Sequence, residues 1–186
     1  RVLAEQLSKK LGQPIVVVNK PGGGGSIGYK YAQQKPADGY TLVFNSTSIS
    51  TVFYSGLIPF DYRAFDAIAR VTVENPVIAI RANAPWKDLQ SMVEDVKKRP
   101  GAVSIGNSGI GSHTHISSVA FFKEINADVM HVPFGASQVV TSLLGGQIDA
   151  VVSVPSALTA HVSAGTLRIV ASLSSAREPA FPTVPT

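Results

Sequence analysis

The sequence lacks cysteine, long apolar runs and a strong charge of either sign. With no cysteine among 186 residues, thiol catalysis, iron–sulfur clusters, cysteine-bound zinc and disulfides are excluded. The lack of cysteine is compatible with an oxidising compartment but does not identify one. No stretch approaches the roughly 18 uninterrupted apolar residues of a transmembrane helix. The sequence therefore predicts a chain that does not span a membrane.

Charged residues make up only 15% of the chain, and the net charge of +4 is local. Residues 1–35 hold six basic residues and one acid, whereas residues 101–176 hold two basic residues and three acids. The excess charge thus marks one basic end rather than a basic groove, so nucleic-acid binding is not expected. Hydrophobic residues at 45% supply a core and exclude an intrinsically disordered chain.

The hydrophobic pattern alternates between strands and helices, which predicts an α/β fold with mostly parallel sheets covered by helices. The N-terminal part has a helix ending at Gly12, a second helix over 26–34, and strands at 15–18, 41–44 and 67–73. From Pro76 onward the predicted strands are 77–81, 103–106, 129–132, 148–154 and 167–173. The predicted helices between them are 87–99, 112–125, 136–144 and 156–163.

A boundary is predicted near residue 76. Residues 1–76 would form a first lobe that lacks its first strand, residues 77–175 a second lobe, and residues 176–186 a segment returning to the first lobe. The first helix has no capping residue before it, and the chain stops in an extended proline-rich segment. We therefore expect a chain truncated at both ends.

A glycine-rich loop at 22–28 formally matches the G-x-G-x-x-G pattern of dinucleotide-binding proteins. That site also needs an acid about 20 residues later, and Asn45 and Ser46 stand there instead. A nucleotide-dependent enzyme using this loop remains the alternative function. A flexible loop-to-helix turn that needs glycine is the favoured interpretation of these residues.

A second loop, residues 106–112, lies between a predicted strand and a predicted helix. It misses the nucleophile-elbow pattern because Ile110 stands where a glycine is required. Amides at the helix start and the hydroxyls of Ser108, Ser112 and Thr114 suit an anion such as a carboxylate. We expect Ser112 to cap the helix, and the bare amides of Gly109 and Gly111 to share the ligand.

Nothing in the sequence predicts catalysis or a metal centre. His113 and His115 are two residues apart, so they diverge on a helix, and no further ligand lies nearby in sequence. His131 and Asp149 are interpreted as packing and capping residues. No paired carboxylates and no nucleophile–histidine–acid order stand out.

Five ordered motifs together resemble one family, the extracytoplasmic solute-binding receptors of tripartite tricarboxylate transporters (Bug or TctC-like). They are residues 11–22 (LGQPIVVVNKPG), 37–42 (ADGYTL), 131–134 (HVPF), 143–149 (LLGGQID) and 182–186 (PTVPT). The resemblance covers the whole chain. It implies a two-lobed clamp of the periplasmic-binding-protein type, located in the periplasm, with any signal peptide outside the residues shown.

The resemblance also implies the ligand-binding residues. The first-lobe ligand loop corresponds to Ser46, Thr47 and Ser48. The second-lobe carboxylate loop corresponds to Asn107, Ser108, Gly109, Gly111 and Ser112, and His115 matches a histidine common on the helix that follows.

Two departures from the family pattern bear on the ligand. Phe134 and Gly135 stand where the family often has tyrosine and a cation, and Ser153 replaces a common aspartate that can bind a ligand ammonium. Both changes predict a less polar pocket and argue against an amino-acid ligand.

The function that the resemblance implies is capture of a small organic carboxylate and its delivery to a membrane permease. This reading includes no catalytic residue, no cofactor and no metal, and it expects a monomer. A ligand sensor that docks to a signalling partner is a further alternative, because such a clamp would have the same sequence features.

Overall fold

The computed structural model describes residues 1–135 and 138–186. The helices there are α1 (Val2–Leu11), α2 (Ser26–Gln33), α3 (Ser48–Tyr54), α4 (Leu89–Lys98), α5 (His113–Glu124), α6 (Val139–Leu144) and α7 (Pro155–Ser163). The strands are β1 (Val77–Arg81), β2 (Ser104–Asn107), β3 (Met130–Pro133), β4 (Ala150–Ser153) and β5 (Leu167–Ser172). The predicted start of the helix 136–144 lies outside the described residues.

All five strands form one sheet in the order β3-β2-β4-β1-β5. β2 pairs in parallel with β3 and β4, whereas β1 pairs antiparallel with both β4 and β5. Four strands therefore run in one direction and β1 runs against them, which agrees with the predicted mostly parallel sheet.

Helices cover both faces of this sheet, because successive strand residues point to opposite sides. Ile78 and Ile80 pack with Met92 of α4 and Phe122 of α5 in one buried cluster. On the other face, Val77 and Ala79 pack with a second cluster that includes Leu143 of α6 and Leu158 of α7. The sheet thereby becomes a rigid platform for the loops at its edges.

Residues 1–76 form helices but none of the strands predicted for them at 15–18, 41–44 and 67–73. A strand needs a neighbouring backbone to pair with, and no ladder includes these segments over the described ranges. Val16, expected to be buried on both faces, is 80% exposed. The prediction was wrong because a run of apolar β-branched residues shows only that a segment favours the extended conformation. It does not show that a partner strand is available to pair with it. A further difference is that Ser48–Tyr54, predicted to begin as a hydroxyl-rich loop, is helical.

The segment that leads into β1 and the segment that follows β5 lie next to each other and are joined by hydrogen bonds. Leu173 N donates to Pro76 O at 2.8 Å, and Ser172 N donates to Pro185 O at 2.8 Å. Asn75 Nδ2 donates to Glu178 Oε1 at 2.7 Å.

Within the described residues, no helix combines the length and the apolar character needed to cross a bilayer.

Candidate functional site

The carboxyl ends of three parallel strands bring the second set of predicted ligand residues to one edge of the sheet. β3, β2 and β4 end at Pro133, Asn107 and Ser153, and Asn107 lies opposite Pro133 in the register. Phe134 follows directly, and its N–H donates to Asn107 O at 2.9 Å. Ligands of open α/β sheets bind beyond the carboxyl ends of the strands, so this edge is the expected place for a site.

The loop between β2 and α5 is a compact hydroxyl cluster. Ser108 Oγ lies 2.8 Å from Thr114 Oγ1 and 3.4 Å from Ser112 Oγ. Ser112 Oγ lies 3.1 Å from Thr114 Oγ1, and Ser108 N donates to Thr114 Oγ1 at 3.0 Å. The hydroxyl protons can rotate between these partners, which allows the cluster to donate to an anion.

Ser112 caps α5 as predicted. Its Oγ accepts the N–H of His115 at 3.2 Å, and the residue is only 6% exposed. The amides of His113 and Thr114 form the open first turn, where helix N–H groups have no partner within the helix. The positive end of the helix dipole adds to the attraction for an anion there.

The expectation that Gly109 and Gly111 offer bare amides was wrong. Gly109 N donates to Asn107 Oδ1 at 3.2 Å, and Gly111 N donates to the ring Nδ1 of His115 at 3.3 Å. The side chains of Asn107 and His115 thus occupy the two amides that were expected to face a ligand.

Asn107 carries the one clear unsatisfied donor of this loop. Its side chain is fully buried, its Oδ1 accepts from Gly109, and its Nδ2 has no hydrogen-bond partner in the described part of the chain. An unpaired buried amide is costly, so a group that accepts from it would be stabilised at this position.

Elements from residues 1–76 contact this loop directly. Thr51 Oγ1 of α3 lies 2.5 Å from Gly111 O and 2.9 Å from Ser48 O. Gly24, at the turn before α2, packs so closely that a Cβ there would lie 3.0 Å from Ile110 O and 3.1 Å from Val52 Cγ1. The glycine-rich loop at 22–28 and helix α3 therefore both lie against the loop at 106–112.

The predicted residues of the first ligand loop lie at the start of α3. Ser46 and Thr47 are exposed and Ser48 is half-buried. Thr47 is the N-cap without a side-chain capping bond, and Ser46 Oγ accepts Ser48 N at 3.2 Å. The structure brings this segment next to the loop at 106–112 through Thr51, which had not been named as a ligand residue.

Tyr29 of α2 was also missed by sequence reasoning. It is 6% exposed and lies in a small cluster with Ile49 and Val52. Burial raises the pKa of its phenol, and hydrogen bonding with Ser46 partly opposes the rise. The signal was weak, since two tyrosines two residues apart in an eight-residue helix, Tyr29 and Tyr31, give no clear periodicity.

Two histidines, His113 and His115, lie in the first turn of α5, and a third, His131 of β3, packs against this helix. The His115 and His131 rings lie 5.6 Å apart at 80°, and Ser118 Oγ lies 3.3 Å from His131 Nδ1. Burial lowers the pKa of His113, His115 and His131, and the neighbouring His115 lowers that of His131 further. No group of three or more potential metal ligands occurs in residues 1–135 and 138–186.

Comparison with solved structures defines the class of the fold. The chain superimposes with a TM-score of 0.89 on the periplasmic binding protein BugD, at 28% identity, covering 99% of this chain and 62% of that one. It superimposes equally well, at 26% identity, on MatC from Rhodopseudomonas palustris with bound malate, covering 100% of this chain and 65% of that one. The fold is that of the two-lobed α/β periplasmic binding proteins.

Sequence comparison then identifies the family. A family model described as the tripartite tricarboxylate transporter family receptor, TctC, matches residues 1–186, and the chain belongs to this family. The chain is 35% identical over 191 residues to the protein BugT of Bordetella pertussis. That alignment covers 100% of this chain and 59% of BugT, so the chain spans less than two thirds of this relative.

Proposed function

We propose that this chain is the ligand-binding part of a periplasmic receptor that captures a small organic carboxylate between two lobes. The receptor delivers the acid to the membrane permease of a tripartite tricarboxylate-type transporter. Family membership supports this function, and so does the malate bound to MatC at 26% identity.

The observation that carries the proposal is the donor set at the start of α5. The hydroxyls of Ser108 and Ser112 and the amides of the first helical turn lie there, and Asn107 at the end of β2 adds a buried Nδ2 without a partner in the described residues. A carboxylate accepts up to about four hydrogen bonds and is attracted by the helix terminus, so it matches this set. Ser46, Thr47, Ser48, Phe134 and Ser153 complete the proposed site.

Binding rather than catalysis is the proposed role, because among the described residues the three hydroxyls hydrogen-bond to one another and to backbone N–H groups and not to a base. Ser108, Ser112 and Thr114 bond to one another, and the nearby ring Nδ1 of His115 accepts from Gly111 N. Neither a catalytic residue nor a cofactor is part of the proposal.

The nucleotide-dependent alternative is disfavoured by the packing of its glycine loop. A pyrophosphate needs close access to the loop backbone, whereas Gly24 lies against Ile110 and Val52.

The proposed division of the chain is a first lobe at 1–76, a second lobe at 77–175 and a return segment at 176–186. The small cluster around Tyr29, Ile49, Val52 and Ile58 lies within the first range, and all five strands lie within the second. The bond from Asn75 to Glu178 supports the return of the last segment. We propose that the receptor acts as a monomer and does not bind nucleic acid.

A thermal-shift screen of mono- and dicarboxylates tests the function, with malate as the reference acid and NAD and ATP as controls. Binding to the folded state adds about RT ln(1 + [L]/Kd), roughly 2.7 kcal/mol at a hundredfold excess over Kd. We expect a higher Tm with at least one acid and no change with either nucleotide. Stabilisation by a nucleotide but by no acid would reverse the conclusion.

A further inference from the structure

His115 makes two hydrogen bonds that tie the carboxylate loop to the helix. Its backbone N–H donates to Ser112 Oγ at 3.2 Å, and its ring Nδ1 accepts from Gly111 N at 3.3 Å. Ser112 is the N-cap and His115 is the third helical residue. This is the arrangement of a capping box displaced by one residue, in which the third residue reaches back to the loop amide.

Both backbone polar groups of Gly111 are consequently held. His115 bonds to its N–H, and the hydroxyl of Thr51 lies 2.5 Å from its carbonyl oxygen. Gly111 directly precedes Ser112, so the direction of the peptide group between them sets where the Ser112 hydroxyl and the first helical amides point. A small rotation there would move the donors of the proposed site.

The Gly111 bond requires an unprotonated Nδ1, and therefore the neutral His115 tautomer with its proton on Nε2. The titratable group facing His115 is His131 of β3, with the two ring centroids 5.6 Å apart, whereas His113 projects from a different side of α5. The negative charge of Asp128 attracts the protonated ring of His131 and so opposes the fall of the His131 pKa. Burial lowers the pKa of His115, which keeps the ring neutral near pH 7.

We infer that His115 is a positioning residue, which orients the Gly111 peptide and the Ser112 cap for carboxylate binding without contacting the carboxylate. This inference rests on the proposed function and adds to it a residue that acts through the loop.

Two substitutions at this position separate positioning from packing. In His115→Asn, Oδ1 occupies a place equivalent to Nδ1 and can accept from Gly111 N–H, whereas His115→Leu removes the acceptor. The control is His161→Leu on α7, which changes a histidine on a different helix. For each protein, the Tm, the malate Kd by calorimetry and the exchange rate of the Gly111 amide by NMR are measured.

We expect His115→Leu to weaken malate binding about three- to tenfold, the effect of one net hydrogen bond, and to accelerate exchange at Gly111. His115→Asn should bind malate within about twofold of the parent protein, and His161→Leu should not differ from it. The ¹⁵N shifts of His115 should show an unprotonated Nδ1 and a protonated Nε2.

Three results would overturn the inference. They are a protonated Nδ1 at neutral pH, equal losses in His115→Asn and His115→Leu, and unchanged malate binding in a folded His115→Leu. If the parent protein does not bind malate, the acid of the screen that raises its Tm most replaces malate in the same measurements. If no acid of the screen binds either, the proposed function itself fails.

Discussion

At the residue scale, Ser112 caps α5 and is also proposed to donate its hydroxyl proton to a ligand. Its hydroxyl oxygen accepts the N–H of His115 and the hydroxyl of Ser108, and its own proton can point to Thr114 or to a bound anion. A serine has one donor and two acceptor positions, so capping and donation are compatible in the same conformation. The structure thus predicts that one substitution affects stability and binding together.

Ser112→Ala should cost about 0.5–2 kcal/mol of stability through the lost cap. It should also weaken malate binding about tenfold, because a hydrogen bond to a charged acceptor contributes about 1.5–3 kcal/mol and the helix amides share the load. The neutral dimethyl ester of malate should lose much less affinity. Calorimetry with both compounds and chemical denaturation measure the two effects.

Asp88→Ala is the matched control, since Asp88 caps α4 by accepting Ser91 N at 2.8 Å. It should lower stability to a similar degree and leave malate binding unchanged. If acid and ester lose affinity equally in Ser112→Ala, or if neither does, Ser112 is only a helix cap.

At the element scale, the turn before α2 has to fit closely against the carboxylate loop. Gly24 has φ +64° and would place a Cβ 3.0 Å from the backbone oxygen of Ile110. A backbone atom cannot move aside as a flexible side chain can, so the two segments would have to separate.

Gly24→Ala should therefore destabilise the protein by about 1–3 kcal/mol, from backbone strain and the displaced contact, and should weaken malate binding. Gly39→Ala shares the positive φ, at +81°, but has nothing within 4 Å of the added methyl group. That control should show the strain alone and bind malate normally. Equal malate affinities of the two variants would show that the Gly24 contact is irrelevant to binding.

A second element contact is made by α3 through Thr51, which lies 2.5 Å from Gly111 O, a residue 60 positions away in the chain. Thr51→Val keeps the shape and removes the donor, so malate binding should weaken about two- to tenfold, the range of one net hydrogen bond. Thr159→Val is the control, because the Thr159 hydroxyl bonds within α7 to Pro155 O at 2.9 Å. Calorimetry of the two variants gives the malate Kd of each. An equal change of Kd in both variants would show that the Thr51 contact with Gly111 does not contribute to binding.

At the scale of the whole molecule, three half-buried imidazoles link the free energy of unfolding to pH. Burial lowers the pKa of His113, His115 and His131 from the ordinary 6.5. Below that pH the unfolded chain therefore binds more protons than the folded one, and the folded state loses stability.

We expect the free energy of unfolding to fall as the pH drops through 6.5 and to level off below the folded-state pKa values. Hydrogen bonds from Ser91 lower the pKa of Asp88 from 3.8, so its contribution is lost in a separate, more acidic range. Denaturation curves between pH 8 and pH 5 measure the first loss. His131→Gln should flatten that slope, and an unchanged slope would exclude His131 as a contributor.

The sequence by itself determined the features that depend on neighbouring residues. The five strands and four helices between residues 77 and 173 follow from hydrophobic periodicity, and no predicted end that lies within the described residues differs by more than two residues. The cap at Ser112 was predictable because a serine before a helical pattern bonds to an amide three residues later. The motifs that carry the family resemblance are likewise local.

Only the tertiary structure decided which of these features pair and meet. The antiparallel position of β1, the unpaired segment 15–18 and the contacts of Thr51 and Gly24 with the carboxylate loop depend on residues far away in the chain. The same applies to the His115–His131 ring contact, whereas the Gly111 amide is occupied by a side chain just four residues on. Strand pairing and side-chain hydrogen bonds depend on which groups come within about 3 Å, and hydrophobic periodicity carries no information about that distance.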